Sequence, residues 1–269
     1  MPLSKKLPII GVIHLAPLPG SSRSPKTVQQ VLDQARQDSL HYLRSGVDAL
    51  LVENHGDAPF EKDAVEPHVP AILAVVARSL VEEFRVPVGV NVLRNDVAAA
   101  LGAAVASGAS FVRANVLAGV VATDQGVIEG QAARWLRYRR QLGVAIEIWA
   151  DALVKHGTAI HDPGIAMAAR ELCLRAGADR ILVTGAGTGS PPDASLVRAV
   201  RESGVSAPVY LASGVTHENV ADLLPLADGA VVGSAFKADG VVANPVDPLR
   251  VTTFMNLVRA IRLGTGVPA

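Results

Sequence analysis

The sequence predicts an α/β fold, a single (β/α)8 barrel, and three observations carry that prediction. Short apolar runs alternate with helix-periodic stretches eight times along 269 residues, about 33 residues per unit. The apolar runs are continuous rather than alternating, as in parallel strands covered by helices. Three junctions also resemble one another: S-G-V-D-A-L-L-V-E-N at 45–54, S-G-A-S-F-V-R-A-N at 107–115 and A-G-A-D-R-I-L-V-T-G at 176–185. Each is a glycine cap, a short turn and an apolar strand. An open doubly wound sheet is the alternative, and eight units favour closure. No linker or shift in composition marks a second domain, so residues 1–269 are read as one.

The first strand is expected at 8–15, and Pro17, Pro19 and Gly20 end it. From Thr27, Val28, Val31, Leu32, Ala35, Tyr42 and Leu43 fall on one helical stripe, which Gly46 caps. Strand two is 48–52, with Glu53 and Asn54 at its end. A long loop and a helix at 70–84 follow. Strand three is 88–92, and Asp96 is placed to N-cap the alanine-rich helix that Gly108 ends. Strand four is 110–115, and 116–130 reads as a loop. A basic helix at 131–142 precedes strand five at 144–149. Asp162-Pro163 is expected to cap the next helix, closed by Gly177. Strand six is 179–184, and a helix at 194–203 follows it. Residues 206–237 then give strand, glycine turn, helix, strand and glycine turn, with Thr216 as N-cap and Pro225 as the stop. Asp247-Pro248 opens the last helix, to about Leu263.

That penultimate stretch is the organising one. Strands at 208–212 and 229–232 end in Ser213-Gly214 and Gly233-Ser234. Adjacent parallel strands that end in glycine leave bare N–H groups at one rim, which suits an oxyanion. The strand-seven and strand-eight loops are also where such barrels usually hold phosphate. The glycine-rich loop after strand six, with Gly185, Gly187 and Gly189, would assist. It does not match the dinucleotide fingerprint.

Composition narrows the partners. Net charge is zero, so no global field favours nucleic acid or an anionic membrane. A single cysteine, Cys173, excludes an internal disulfide and fits a reducing compartment. Leu172 and Leu174 beside it point to a buried helix position. The first eight residues lack signal-peptide form, and no apolar stretch reaches a membrane span. A cytoplasmic protein is expected, at most peripheral to a membrane.

Polar residues at strand C-termini face the mouth of such a barrel. Here they include His14, Glu53, Asn54, Asn91, Arg94, Asn95, Asp96, Arg113, Asn115, Asp151, Lys155, His156, Thr184, Ser213, Ser234 and Lys237. A purely structural barrel does not need charge at five successive strand ends. Glu53, Asp151, His156 and Lys155 are the candidates for proton handling, and Glu53 could alternatively be held in an ion pair with Arg94 or Arg113. Arg113 and Asn115 share one face, so an arginine anion clamp in the lumen is expected. His14, Asn54, Asn91, Arg94, Asn95, Arg113, Asn115 and Thr184 are the candidate ligand contacts. His14 could equally be a core histidine, and Asp96 is more a cap than a catalyst. Lys155 reads as a fixed cation ahead of a Schiff-base lysine. A metal on His14, Glu53, Asp151 and His156 has no zinc spacing behind it, and the sequence requires no cofactor. The arginines of 131–142 ring a helix and read as a solvated face, with Trp135 and Tyr138 in packing or a subunit contact. A homo-oligomer is expected.

The motifs G-V-I-H-L-A-P-L-P-G (11–20), V-E-N-H-G-D-A-P-F (52–60), G-V-N-V-L-R-N-D (89–96), T-D-Q-G (123–126), A-D-A-L-V-K-H (150–156), V-T-G-A-G-T-G (183–189) and N-P-V-D (244–247) together resemble the BtpA/SgcQ family over nearly the whole chain. His55, where an aromatic is expected, and Gly157, where alanine often stands, are small departures. The resemblance implies a TIM barrel of the ribulose-phosphate-binding type, and it does not specify a reaction. The family takes its name from a cyanobacterial factor needed for stable photosystem I. Two functions are therefore expected: an enzyme or degenerate enzyme binding a sugar phosphate or nucleotide, of lyase or isomerase type by fold analogy; or a non-catalytic biogenesis factor for a membrane complex.

Overall fold

A computed structural model describes residues 5–23, 25–185 and 193–264. Its strands are β1 (Ile9–His14), β2 (Ala49–Glu53), β3 (Val88–Asn91), β4 (Phe111–Ala114), β5 (Val120–Thr123), β6 (Gly126–Glu129), β7 (Glu147–Asp151), β8 (Gly157–Ala159), β9 (Arg180–Val183), β10 (Val209–Ala212) and β11 (Gly229–Val232). The helices are α1 (Val28–Ser45), α2 (His68–Phe84), α3 (Val97–Ser107), α4 (Ala132–Gln141), α5 (Ile165–Leu174), α6 (Ala194–Glu202), α7 (Val220–Leu223) and α8 (Pro248–Leu263). Eight parallel strands close in the order β1-β11-β10-β9-β7-β4-β3-β2, as the alternation predicts.

Several boundaries follow from local chemistry. Thr27 caps α1 through a capping box with Gln30, and Gly46 ends it at φ 97°. Asp96 accepts from Ala99 N at 2.9 Å and starts α3. Asp247 and Pro248 open α8. Four expectations need correction. Asp162 does not cap α5: its carboxylate accepts from Gly164 N, and Gly164, at φ 79°, is the residue before the helix. The segment expected to be helical from Thr216 forms only a four-residue α7, because Asn219 turns back to bond Thr216 N and Gly214 O. Pro225 lies inside the short 3-10 turn Leu224–Leu226. Strand five starts three residues late, at Glu147, and runs on to Asp151, since Val144 is exposed in the preceding turn.

The largest departure is at 116–130. It forms the hairpin β5–β6 around T-D-Q-G, and β8 from the next unit adds to the other edge of β5, giving the sheet β6-β5-β8. Gly157 permits that contact: a Cβ there would stand 2.6 Å from Val121 Cγ1.

Alternation divides the core in two. One side chain in two along the barrel strands faces the helices in a large apolar layer. The others, Ile10, Val12, Ala49, Leu51, Phe111, Trp149, Leu182, Tyr210, Ala212 and Val231, fill the lumen. Phe111 stacks flat on Trp149 at 3.9 Å, and Gly89 leaves the space it occupies, since a Cβ there would lie 2.1 Å from its ring. At the N-terminal end of the lumen, Arg180 pairs with Glu147 at 2.8 Å, donates to the Tyr210 hydroxyl at 2.9 Å and lies over the Trp149 ring. The lumen is therefore filled below, and among the described residues its polar end is at the C-termini of the strands.

Two other side chains depart from expectation. Lys237 is fully buried and paired with Asp38 at 2.9 Å rather than turned to the mouth as a free cation. Cys173 is half-buried on α5, 3.5 Å from Ser206 Oγ, rather than enclosed. Among the described residues, no helix is long and apolar enough to cross a membrane.

Candidate functional site

The top layer of the lumen is made by the inward residue that ends each strand. Register places His14 beside Glu53, and Glu53 beside Asn91. Arg113, one pleat higher than Phe111, reaches across to two carboxylates. Its Nη1 donates to Glu53 Oε1 at 3.2 Å, and its Nη2 donates to Asp151 Oδ1 at 3.1 Å. Asn91 adds a bond to Glu53 at 3.0 Å and Asn115 one to Asp151 at 2.8 Å. All five side chains are buried. Burial works against the Arg113 charge, yet the two carboxylates more than offset it, and its pKa is raised. Glu53 thus pairs with Arg113 rather than Arg94, and the bonds from Arg113 and Asn91 both fall on its Oε1.

His14 lies at the edge of this cluster, its Nε2 4.0 Å from Glu53 Oε2. Burial, then the neighbouring His55, holds its pKa well below the usual value, so the ring is neutral near pH 7. Its Nδ1 is buried without a partner among the described residues. His55 packs edge-on against it at 4.8 Å, and Phe60 lies beyond His55.

Arg94 and Lys155 stand above the layer, the first buried and the second half-buried. Arg94 donates from Nη2 to the Lys155 carbonyl at 2.7 Å, which fixes the backbone of the loop after β7. Desolvation lowers the pKa of both side chains, with Arg113 adding to the effect on Lys155. Among the described residues neither closes an ion pair. His156, at φ 56°, follows in this loop; its side chain is exposed, and desolvation and then Lys155 lower its pKa.

Other predicted residues are placed differently. Asn54 accepts from Leu93 N at 2.8 Å and donates to Leu93 O, and Asn95 brackets Val116 in the same way at 2.9 and 3.0 Å. Both asparagines therefore clamp loops rather than face the lumen. Thr184 donates its hydroxyl to Leu153 O. Gly233 faces inward, but a Cβ there would meet His14 Cε1 at 2.7 Å: the space it leaves is taken by the imidazole. Ser213 and Gly214 both have left-handed backbones, at φ 81° and 72°, and Ser213 N donates to Val231 O at 3.4 Å. Ser234 opens the 3-10 turn Ser234–Phe236, whose first N–H groups have no partner within the turn. Gly185 lies two residues beyond β9 and is buried, while Gly187 and Gly189 lie outside the described residues.

Sequence reasoning missed a cleft of about 610 Å³ that opens beside Asn115, Asp151 and Thr184 and runs out under the β6-β5-β8 sheet to α5. Its apolar walls include Val121, Leu153, Ile160 and Leu172. The β-branched Val120, Val121 and Thr123 and the turn residues after them were the available signal. Among the described residues no group of three or more His, Cys, Asp or Glu side chains could hold a metal ion. Arg113 stands between the two buried carboxylates that would have to share one.

Comparison with known proteins agrees with this architecture. The phosphoribosyl anthranilate isomerase of Thermus thermophilus superposes with a TM-score of 0.56 at 14% identity, covering 96% of this chain and 99% of that one. A structure described as native KDPGal gives 0.60 at 16%, covering 98% of each. At those identities the likeness is one of fold, the TIM barrel. In sequence, the chain is 41% identical to the photosystem I biogenesis protein BtpA of Synechocystis over 92% of this chain and 86% of that protein. It is 32% identical to the putative sgc region protein SgcQ of Escherichia coli, over 94% and 95%. Residues 5–260 match the BtpA family profile, and the chain belongs to the BtpA family.

Proposed function

We propose that this barrel binds a small phosphorylated ligand at its C-terminal mouth and acts on it as a lyase or isomerase. The observation that carries the reading is the excess of desolvated positive charge there. Arg113 is matched against Glu53 and Asp151, whereas Arg94 and Lys155 are drawn out of water and close no ion pair among the described residues. Both feel Glu53 and Asp151 at a distance, but three cations face those two carboxylates; desolvated charge in excess is costly, and an anionic ligand relieves that cost. The rim formed by Gly214, beside Ser213, and by Ser234 supplies N–H groups on two adjacent strand ends, the arrangement that suits a phosphate. Glu53 and Asp151, fixed by Arg113, Asn91 and Asn115, are placed to exchange protons with a ligand lying over the lumen. Lys155 and Arg94 are placed to stabilise negative charge developing on an oxygen.

The test is ligand-induced stabilisation. Ribose 5-phosphate at about one hundred times its Kd adds about 2.7 kcal/mol, a melting shift of about 5–11 °C for a chain of this size. Lys155→Met is expected to remove most of it. No shift with any phosphorylated compound, or a shift that Lys155→Met leaves intact, would overturn the reading.

The 41% identity to a photosystem I biogenesis protein favours a second reading, in which an outer surface serves assembly of a membrane complex. That role needs no charged mouth. Substitution of Arg113 or Lys155 would then leave membrane association unchanged.

A further inference from the structure

The apolar cleft bears on which phosphorylated ligand the mouth accepts. We propose that the ligand is a nucleoside monophosphate rather than a plain sugar phosphate, with its base in the cleft under the β6-β5-β8 sheet. This assignment rests on the mouth binding a phosphorylated ligand at all.

Three observations converge. The cleft, about 610 Å³, adjoins the charged cluster instead of standing apart from it: Asn115 and Asp151 belong to both. That volume exceeds what a sugar phosphate over the lumen requires and falls in the range of pockets that enclose a whole small ligand. Its walls are mainly apolar, with Thr158, His161, Asp162 and Glu171 also lining it, and Ile160 is 60% exposed, an apolar side chain with nothing over it among the described residues. A flat ring covered by Val121, Leu153 and Leu172 would complete such a surface.

The inner end of the cleft is polar in a specific way. Asn115 is 4% exposed and donates its Nδ2 to Asp151 at 2.8 Å, which leaves Oδ1 as the acceptor. That Oδ1 is buried and has no partner among the described residues. A buried acceptor of this kind calls for a donor. A base N–H, or a ribose hydroxyl at the junction of sugar and base, supplies one. The strand order fits the connectivity of a nucleotide. The phosphate rim is on β10 and β11, β9 with Thr184 is next, and the cleft opens beside β7 and β4. Phosphate, ribose and base would follow one another along that arc, with the ribose over Asp151 and Asn115.

The test is titration calorimetry of the full chain with ribose 5-phosphate, adenosine 5′-monophosphate and uridine 5′-monophosphate, repeated on Ala168→Trp. Ala168 lines the cleft from α5 and is partly exposed, so the bulky side chain fills the cleft without entering the charged cluster. Circular dichroism would confirm the fold of the variant. At least one nucleotide is expected to bind tenfold or more tightly than ribose 5-phosphate. Ala168→Trp is expected to abolish that advantage while ribose 5-phosphate binds as before. If ribose 5-phosphate binds and neither nucleotide exceeds it, or if the variant weakens all three equally, the base assignment falls and the phospholigand reading stands. If none of the three binds, both fall.

Discussion

Replacing Arg113 by methionine tests the logic of the site most directly. The side chain is 5% exposed and bridges Glu53 and Asp151 at 3.2 and 3.1 Å. Methionine roughly keeps its volume and removes the only cation paired with either carboxylate among the described residues. Breaking a buried ion pair typically costs about 3–5 kcal/mol, because the partner is left charged and unsolvated. At about 2–4 °C per kcal/mol for a chain of this size, the melting temperature should fall by roughly 6–20 °C at pH 8. The raised Arg113 pKa contributes stability below the unfolded pKa, so in the wild type it is present across the whole measurable range. A triple variant that adds Glu53→Gln and Asp151→Asn identifies the cause: with no charge left stranded, it should recover most of the loss. Melting curves of the wild type, the single variant and the triple variant decide it. A loss below about 1 kcal/mol, or a triple variant no more stable than Arg113→Met alone, would refute the account of three mutually dependent charges.

Four further outcomes are expected. Lys155→Met should leave stability unchanged or raise it by up to about 1 kcal/mol in urea unfolding, because an unpaired ammonium is removed, while affinity for phosphorylated ligands falls at least tenfold. Because His14 is held below its ordinary pKa, its contribution to stability is full above about pH 6.5 and is lost as pH falls; His14→Gln should flatten that decline by no more than about 1.4 kcal/mol per pH unit. Gly233→Ala should destabilise by about 1–3 kcal/mol through the contact with His14, and His14→Ala in the same chain should restore most of it; a penalty that persists in the double variant would place the strain elsewhere. Asp38→Ala, which strands the buried Lys237 ammonium, should cost about 3–5 kcal/mol, with Lys237→Met in the same chain recovering part of that loss.

The barrel was legible because its strands are apolar without interruption and its helices carry their caps in sequence: Thr27 with Gln30, Asp96, Gly46 and Gly108 act as their side chains and backbones require. The charged cluster was legible for the same reason, since period two puts Glu53, Arg113 and Asp151 on the inner face once the strands are placed. What sequence could not separate was an asparagine turned to the lumen from one turned to a loop. Asn91 and Asn54 occupy the same kind of position, yet Asn91 bonds Glu53 and Asn54 bonds the backbone of Leu93. Gly233 misled for a related reason: a glycine reports that something approaches closely, and here the neighbour is His14. The sheet over the mouth stayed hidden because β8 is three residues long and finds its partner in another unit, a pairing that no local periodicity records.

That pairing has a consequence for engineering. β5 bonds to β6 within its own excursion and to β8 from the following unit, so the insertions after the fourth and fifth barrel strands share one hydrogen-bonded ladder. Transplanting the first of them from a relative without the second would leave a row of amides at Gly157–Ala159 facing nothing, and with it a ready edge for another chain to join. Chimaeras of this barrel should therefore exchange the two segments as a matched set.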